Sequence, residues 1–397
     1  MFDHETVTIF KSIPTPFYYY DMDLLRENLS LLKNAADRYR VKIHYALKAN
    51  ANNPILKEVK AFGFGADCVS GNEVKKALES GFDASSIFYA GVGKTDEEIL
   101  FGLNHQIGCF NVESLHELKI IDQLAKKSNK KAPVALRINP DVDGHTKPGI
   151  TTGTKLDKFG IDKDEIPEAI NLLKTLHHLD FKGLHFHIGS QITDLHVFKL
   201  LAQEVNVIQE QFISADLFPK ILDMGGGLGI DYENPDQHPF PDYENFFKIY
   251  RENLNIYNGQ ELHFEPGRAV VAQCGNLITS VLYLKNSGPA RFIIVDAGMN
   301  NLMRPALYNA HHKIQNLNGL GVEKQYQVAG PICESSDIFA KDILLPEVQR
   351  GDLLIIRSAG AYGEVMASGY NLREAAHAIY SDDLKKRELR SQHKKRS

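Results

Sequence analysis

Cysteine is scarce in this chain. Of 397 residues only Cys68, Cys109, Cys274 and Cys333 are cysteine, far apart and with no CxxC pair. That excludes a cysteine-rich zinc module and a disulfide scaffold, and it fits a reducing compartment. Long apolar runs are missing as well: none approaches the roughly 18 residues of a membrane span. The opening MFDHETVTIF carries acidic residues and no apolar core, so it does not read as a secretory signal. Nor is there an excess of positive charge. The formal net charge of -5 argues against generic nucleic-acid binding. The expectation is a cytoplasmic protein with no membrane and no nucleic-acid partner.

What remains is the composition of a soluble globular protein, 43% hydrophobic and 24% charged, in a chain too long for one ordinary domain. Strand-like runs occur at 42–48 (KIHYALK), 64–70, 87–92, 108–114, 132–139, 183–190, 220–227 and 262–268. Segments such as GNEVKKALESG and ESLHELKIIDQLAKK lie between them and place apolar residues at i, i+3 and i+4, the helical period. Eight alternations of strand and helix predict a (β/α)8 TIM barrel, with an open doubly wound sheet as the alternative. After Arg268 the rhythm changes. ITSVLYLKN, RFIIVDAG, KQYQVAG and GDLLIIRSAGAYG read as strands without long helices between them. The expected division is a barrel over 28–270, a mostly β domain from 1–27 and 271–380 that includes PFYYYDMD, and a basic, disordered tail over 381–397.

Barrel enzymes carry their active sites at the C-terminal strand ends. Here those ends hold Lys48, Asp67 and Ser70, Asn111 and Glu113, Arg137 and Asn139, His187 and Ser190, Gly225 to Gly227, and Glu265 with Gly267 and Arg268. Lys48 alone reads first as a solvated charge where the strand leaves the core, and only second as a nucleophilic amine in a pocket. The ring of polar groups favours the pocket. The glycines of DMGGGLG suit an anion nest of backbone N–H groups or a tight turn. They do not match a dinucleotide fingerprint, because the last position falls on Ile230. Glu265 reads as a partner for Arg268 or for a protonated ring nitrogen. His185 and His187 share a strand face. With no third ligand in the pattern, zinc is not expected. His187 suits packing against a flat cofactor, and His185 reads as a structural histidine. An amine, a phosphate nest, a carboxylate for a ring nitrogen and a planar side chain together suit pyridoxal 5'-phosphate.

Several motifs carry a more specific resemblance: YALKAN (45–50), KFGI (158–161), HFHIGSQITD (185–194), DMGGGLGIDY (223–232), EPGR (265–268), GPICESSD (330–337) and GAYGEVMAS (360–368). The chain resembles the fold-type III pyridoxal-phosphate enzymes and, within them, the diaminopimelate decarboxylase family. YALKAN and EPGR are shared with ornithine and arginine decarboxylases, whereas HIGSQITD and CESSD resemble the diaminopimelate branch. The resemblance implies that Lys48 forms the Schiff base and that His187 stacks on the cofactor ring. It implies that Ser190, Gly226, Gly227, Pro266, Gly267 and Arg268 surround the cofactor and its phosphate, and that Glu265 contacts the pyridine nitrogen. Arg268, Arg304, Tyr308 and Tyr362 would bind substrate, with Tyr362 also reaching the cofactor. Cys333 as proton donor and Glu334 as a contact for the distal ammonium would come from the partner subunit of a homodimer. The reaction implied is decarboxylation of meso-2,6-diaminopimelate to L-lysine. The sequence departs from the family pattern in the proline-free stretch Gly369 to His377 and at Lys147-Pro148. Two other readings are a decarboxylase of another basic amino acid or carboxylated polyamine, and a non-catalytic regulator that keeps the fold.

Overall fold

The computed structural model describes residues 4–142, 158–319 and 321–385. The segment around Lys147-Pro148 and most of the basic tail lie outside the described residues. The chain divides into two compact units, Asn28–Gly229 with Asp242–Val270, and Met1–Glu27 with Ile230–Pro241 and Val271–Ser397.

Strand β1 (Phe17–Tyr20) comes first in the chain and belongs to the second unit. The first unit is built on β2 (Val41–Ala46), β3 (Gly65–Cys68), β4 (Ile87–Tyr89), β5 (Cys109–Val112), β6 (Ala132–Arg137), β7 (Leu179–His185), β8 (Ile221–Asp223) and β9 (Glu261–Phe264). Each pairs in parallel with the next, and β9 returns to β2 with Val41 opposite Leu262, which closes an eight-stranded barrel. The expected TIM barrel is therefore present. Helices follow the strands, and several begin on side-chain caps. The Ser70 side chain accepts from Glu73 N–H and starts the helix Gly71–Glu79, so this residue of the polar ring serves as an N-cap. Ser114 does the same for Leu115–Lys127.

The outer layer also positions the end of β9. The helix Tyr243–Asn253 buries Tyr243, Phe246, Phe247 and Tyr250, an i, i+3, i+4, i+7 stripe. Three of these rings pack on Phe264 at centroid distances of 5.3, 4.9 and 5.0 Å. Each buried aromatic contributes about 1.5–3 kcal/mol of apolar transfer. Phe264 is thereby fixed, and Glu265 is the next residue.

The second unit contains β10 (Gly275–Ser287), β11 (Ala290–Val295), β12 (Ile314–Asn316), β13 (Glu323–Ala329), β14 (Ile338–Pro346), β15 (Leu353–Ile356) and β16 (His377–Tyr380). Its sheet runs β12-β15-β10-β11-β13-β14. Strand β1 pairs antiparallel with β10, Phe17 opposite Ile278, and parallel with β16, Phe17 opposite His377. A small core of Phe10, Phe17, Tyr19, Ile278, Leu353 and Ile355 backs this corner.

Candidate active site

The strand that carries Lys48 ends two residues before it. Leu47–Ala49 form a short 3-10 turn at the barrel mouth. The Lys48 side chain is 35% exposed, and its Nζ lies 3.3 Å from Oδ2 of Asp67, which is fully buried. Burial, and then the charge of Glu265, push the Asp67 carboxyl up to about 7 against the opposing pull of Lys48.

Glu265 is held from both sides. Asn111 Nδ2 donates to its Oε1 at 3.2 Å, and His185 Nε2 stands 3.0 Å from its Oε2. A carboxylate only accepts, so Nε2 of His185 carries the hydrogen. Burial alone would push the Glu265 carboxyl up. The His185 ring, by charge and by hydrogen bond, and then Lys48, reverse this and leave it well below the usual carboxylate range. His185, expected from sequence to be a satisfied structural histidine, thus has Glu265 as its partner. Asp223 is its opposite: burial and then Glu265 push it well above its ordinary value, while Gly225 N–H donates to its Oδ1 at 2.9 Å. One atom each from His185, Asp223 and Glu265 lie within 4.8 Å of one another. A metal ion fits this cluster poorly, because both oxygens of Glu265 already face hydrogen-bond donors.

Gly226 N–H donates to Nδ1 of His187 at 3.2 Å, so His187 is the Nε2–H tautomer. Burial, then Lys48 and Arg137, hold His187 well below the usual imidazole range and keep it neutral. Two amides of the glycine run are thus committed to Asp223 and His187. Gly226 also permits a close approach: a Cβ there would stand 2.4 Å from the carbonyl oxygen of Glu265. Arg268, at the end of Glu265-Pro266-Gly267-Arg268, donates through Nη2 to Ser190 Oγ at 3.0 Å. The Pro266 carbonyl accepts from Ala46 N–H, which ties this turn to the end of β2.

Glu113 and Arg137 organise the next sector. Arg137 Nη1 donates to Glu113 Oε1 at 2.8 Å, and both side chains are buried. Gly91 N–H donates to the same oxygen and Gly160 N–H to the other. The Arg137 guanidinium lies 4.7 Å from the centroid of the Phe159 ring. The KFGI motif is therefore placed by these two residues. Despite its burial, Arg137 and then Lys94 hold the Glu113 carboxyl below its ordinary value.

The remaining expected residues belong to the second unit. Arg304 is buried and donates through Nη1 to Tyr232 Oη at 3.0 Å and to His312 Nε2 at 2.8 Å. Tyr308 is half-buried in the short helix Arg304–Tyr308. Tyr362 has a φ of 55°, a conformation rare for a bulky residue and concentrated at functional sites. Cys333 and Glu334 are exposed. Tyr370 Oη donates to Glu334 Oε1 at 2.6 Å, and Cys333 N–H donates to Asn371 Oδ1 at 3.0 Å. The stretch that departs from the family pattern thus holds the CESSD segment. His312 and Tyr232 were not anticipated from sequence as partners of Arg304.

The barrel mouth fits pyridoxal 5'-phosphate. It presents an amine, an ionised carboxylate and a neutral imidazole, and a glycine run that Cβ atoms would fill. Asp67 Oδ1, Asn111 Oδ1, His185 Nδ1 and Asp223 Oδ2 are buried without hydrogen-bond partners among the described residues, as in a polar cavity shaped for a polar group. The family model for the pyridoxal-dependent decarboxylases, pyridoxal binding domain, matches residues 22–272. The chain is 49% identical to the diaminopimelate decarboxylase of Bacteroides thetaiotaomicron over 94% of this chain and 97% of the relative. It belongs to the diaminopimelate decarboxylase family. A member of that family from Helicobacter pylori is 41% identical over 98% of this chain and 95% of its own. The structure of a diaminopimelate decarboxylase from H. pylori complexed with L-lysine superposes with a TM-score of 0.89 at 39% identity, covering 96% of this chain and 94% of that one. A diaminopimelate decarboxylase from M. jannaschii, also in complex with L-lysine, gives 0.87 at 33% identity, covering 95% and 90%.

Proposed function

We propose that this protein is a pyridoxal-phosphate-dependent carboxy-lyase that converts meso-2,6-diaminopimelate to L-lysine and carbon dioxide, the last step of lysine biosynthesis. The observation that carries the reading is the partly exposed Lys48 amine, 3.3 Å from the buried Asp67 at the barrel mouth, whose charge helps to hold the buried Glu265 carboxyl low. The cofactor, when bound, supplies a sink for the electron pair left by the departing carbon dioxide. Lys48 would anchor it through its side-chain amine. Glu265, which accepts from His185 and Asn111, would face its ring nitrogen. The neutral imidazole of His187 would pack on its ring. Ser190, Gly226, Gly227, Pro266, Gly267 and Arg268 would surround the cofactor and its phosphate, and Tyr362 would contact it as well.

Arg268, Arg304, Tyr308 and Tyr362 bind substrate, the arginines gripping the carboxylate that is retained, since a guanidinium takes a carboxylate in a bidentate way. Cys333 returns the proton to carbon and Glu334 holds the distal ammonium, both across the interface of a homodimer. Their exposure, beside the exposed Tyr370 and the stretch that ends in the exposed Leu372, supports that assignment. The free cysteines support a cytoplasmic enzyme, and among the described residues no helix is long and apolar enough to cross a membrane.

The test is a visible spectrum of the purified protein with Lys48→Ala alongside, followed by assay of lysine and carbon dioxide from meso-diaminopimelate. A lysine-linked cofactor band lost in the variant, with lysine formed by the wild type, is the expected result. A band without lysine would reject the substrate. No band after adding the cofactor would reject the enzyme.

A further inference from the structure

Arg304 does not hold its position alone. Both hydrogens of its Nη1 are engaged, one by Tyr232 Oη at 3.0 Å and one by His312 Nε2 at 2.8 Å. The guanidinium also lies 5.2 Å from the centroid of the Tyr232 ring. His312 is 1% exposed and meets Tyr232 edge to face, at 5.0 Å and 78°. Its other nitrogen, Nδ1, stands 2.9 Å from the carbonyl oxygen of Arg357. A carbonyl only accepts and a guanidinium only donates. Nδ1 therefore carries the hydrogen, Nε2 carries the lone pair, and the ring is neutral. The Arg357 guanidinium is occupied elsewhere, by Asp236 at 2.7 Å, Gln315 at 2.9 Å and Asn276 at 3.0 Å.

We propose that His312 is a positioning residue for substrate recognition. As the neutral Nδ1–H tautomer, it fixes the plane of Arg304 and so the direction in which that guanidinium meets a substrate carboxylate. This rests on the reading of Arg304 as a carboxylate ligand. Among the described residues, the charged and titratable groups around the ring include Arg304, Arg357 with its partner Asp236, Tyr232, and the chain neighbours His311, paired with Glu233, and Lys313. A proton on His312 would remove the acceptor and set two buried cations 2.8 Å apart. The grip on Arg304 is therefore lost on the acid side, and affinity for the carboxylate falls with it.

Asparagine and glutamine separate the two ring nitrogens. His312→Gln can present an amide oxygen where Nε2 stands and does not titrate. His312→Asn can keep the donor to the Arg357 carbonyl and loses the acceptor for Arg304. With the holoenzyme and meso-diaminopimelate, His312→Asn is expected to raise KM about tenfold or more with kcat little changed. The wild type is expected to show a rise in KM on the acid side, and His312→Gln is expected to restore KM and to lose that rise. Histidine-labelled nitrogen resonance of the wild type, with His312→Gln to assign the signal, is expected to show the Nδ1–H tautomer. A wild-type KM in His312→Asn alongside a raised KM in Arg304→Gln overturns the proposal and leaves the reading of Arg304 standing. An unchanged KM in Arg304→Gln overturns both. If His312→Asn does not fold, an acid-side rise that persists in His312→Gln overturns the proposal by itself.

Discussion

Glu265 and His185 meet inside the barrel with Oε2 and Nε2 3.0 Å apart, and their side chains are only 4% and 1% exposed. They come from the ends of β9 and β7, with Asp223 on the strand between. Two carboxyl groups share this interior, and the donors decide which is ionised. Glu265 receives Asn111 and His185. Asp223 receives the amide of Gly225. Removing His185 should shift that balance. His185→Phe is expected to cost about 1.5–3 kcal/mol of stabilisation of the ionised Glu265, the range for a hydrogen bond to a charged group. The readout is a fall in kcat of ten- to a hundredfold, with the cofactor spectrum displaced. Unchanged kcat and spectrum would show that Asn111 suffices.

Asp67 gives a pH dependence with a definite sign. Its carboxyl is raised from 3.8 to about 7 in the folded chain. Between those values the folded state holds a proton that the unfolded state has lost, so this group lowers stability as pH rises from about 4 to about 7. Its slope cannot exceed about 1.4 kcal/mol per pH unit. Asp67→Asn in the cofactor-free protein is expected to flatten the urea midpoint across that window. A midpoint slope equal to that of the wild type would remove Asp67 as its source.

The Glu113–Arg137 pair should behave as a buried ion pair broken from one side. Glu113→Gln leaves Arg137 without its carboxylate and weakens the anchors of Gly91 and Gly160. The expected loss is about 3–5 kcal/mol in urea unfolding. A second sign is faster proteolysis near 158–161, because Gly160 is fastened to Glu113. A loss under about 1 kcal/mol would mean that the cation–π contact with Phe159 carries Arg137.

The barrel was legible because its strands are short apolar runs separated by helices of clear period, and because Lys48, Asp67, Asn111, Arg137 and Glu265 recur at strand ends. The second unit was only partly legible. Runs such as RFIIVDAG announced β11, but β12 has three residues, and β14 mixes Lys341 and Asp342 with exposed Leu344. Strand β16 is the short HAIY, and its pairing with β1 crosses almost the whole chain. In the site, alternation placed His185 beside His187, but its partner Glu265 lies 80 positions away and no local pattern names it. His312 had still less signal: it stands eight residues after Arg304, past the end of a five-residue helix.

The register of β1 has a consequence for synthesis on the ribosome. Phe17 emerges early, yet its sheet partners Ile278 and His377 are translated only after every barrel strand. At about 5–20 residues per second, β1 waits roughly 13–50 s for β10 and longer for β16. Through that interval the apolar FYYY strand has neither neighbour, whereas each barrel strand gains one as soon as the next is made and the barrel closes once β9 is complete at Phe264. The nascent chain therefore presents an open strand edge, which makes its first twenty residues the natural place for a chaperone to hold.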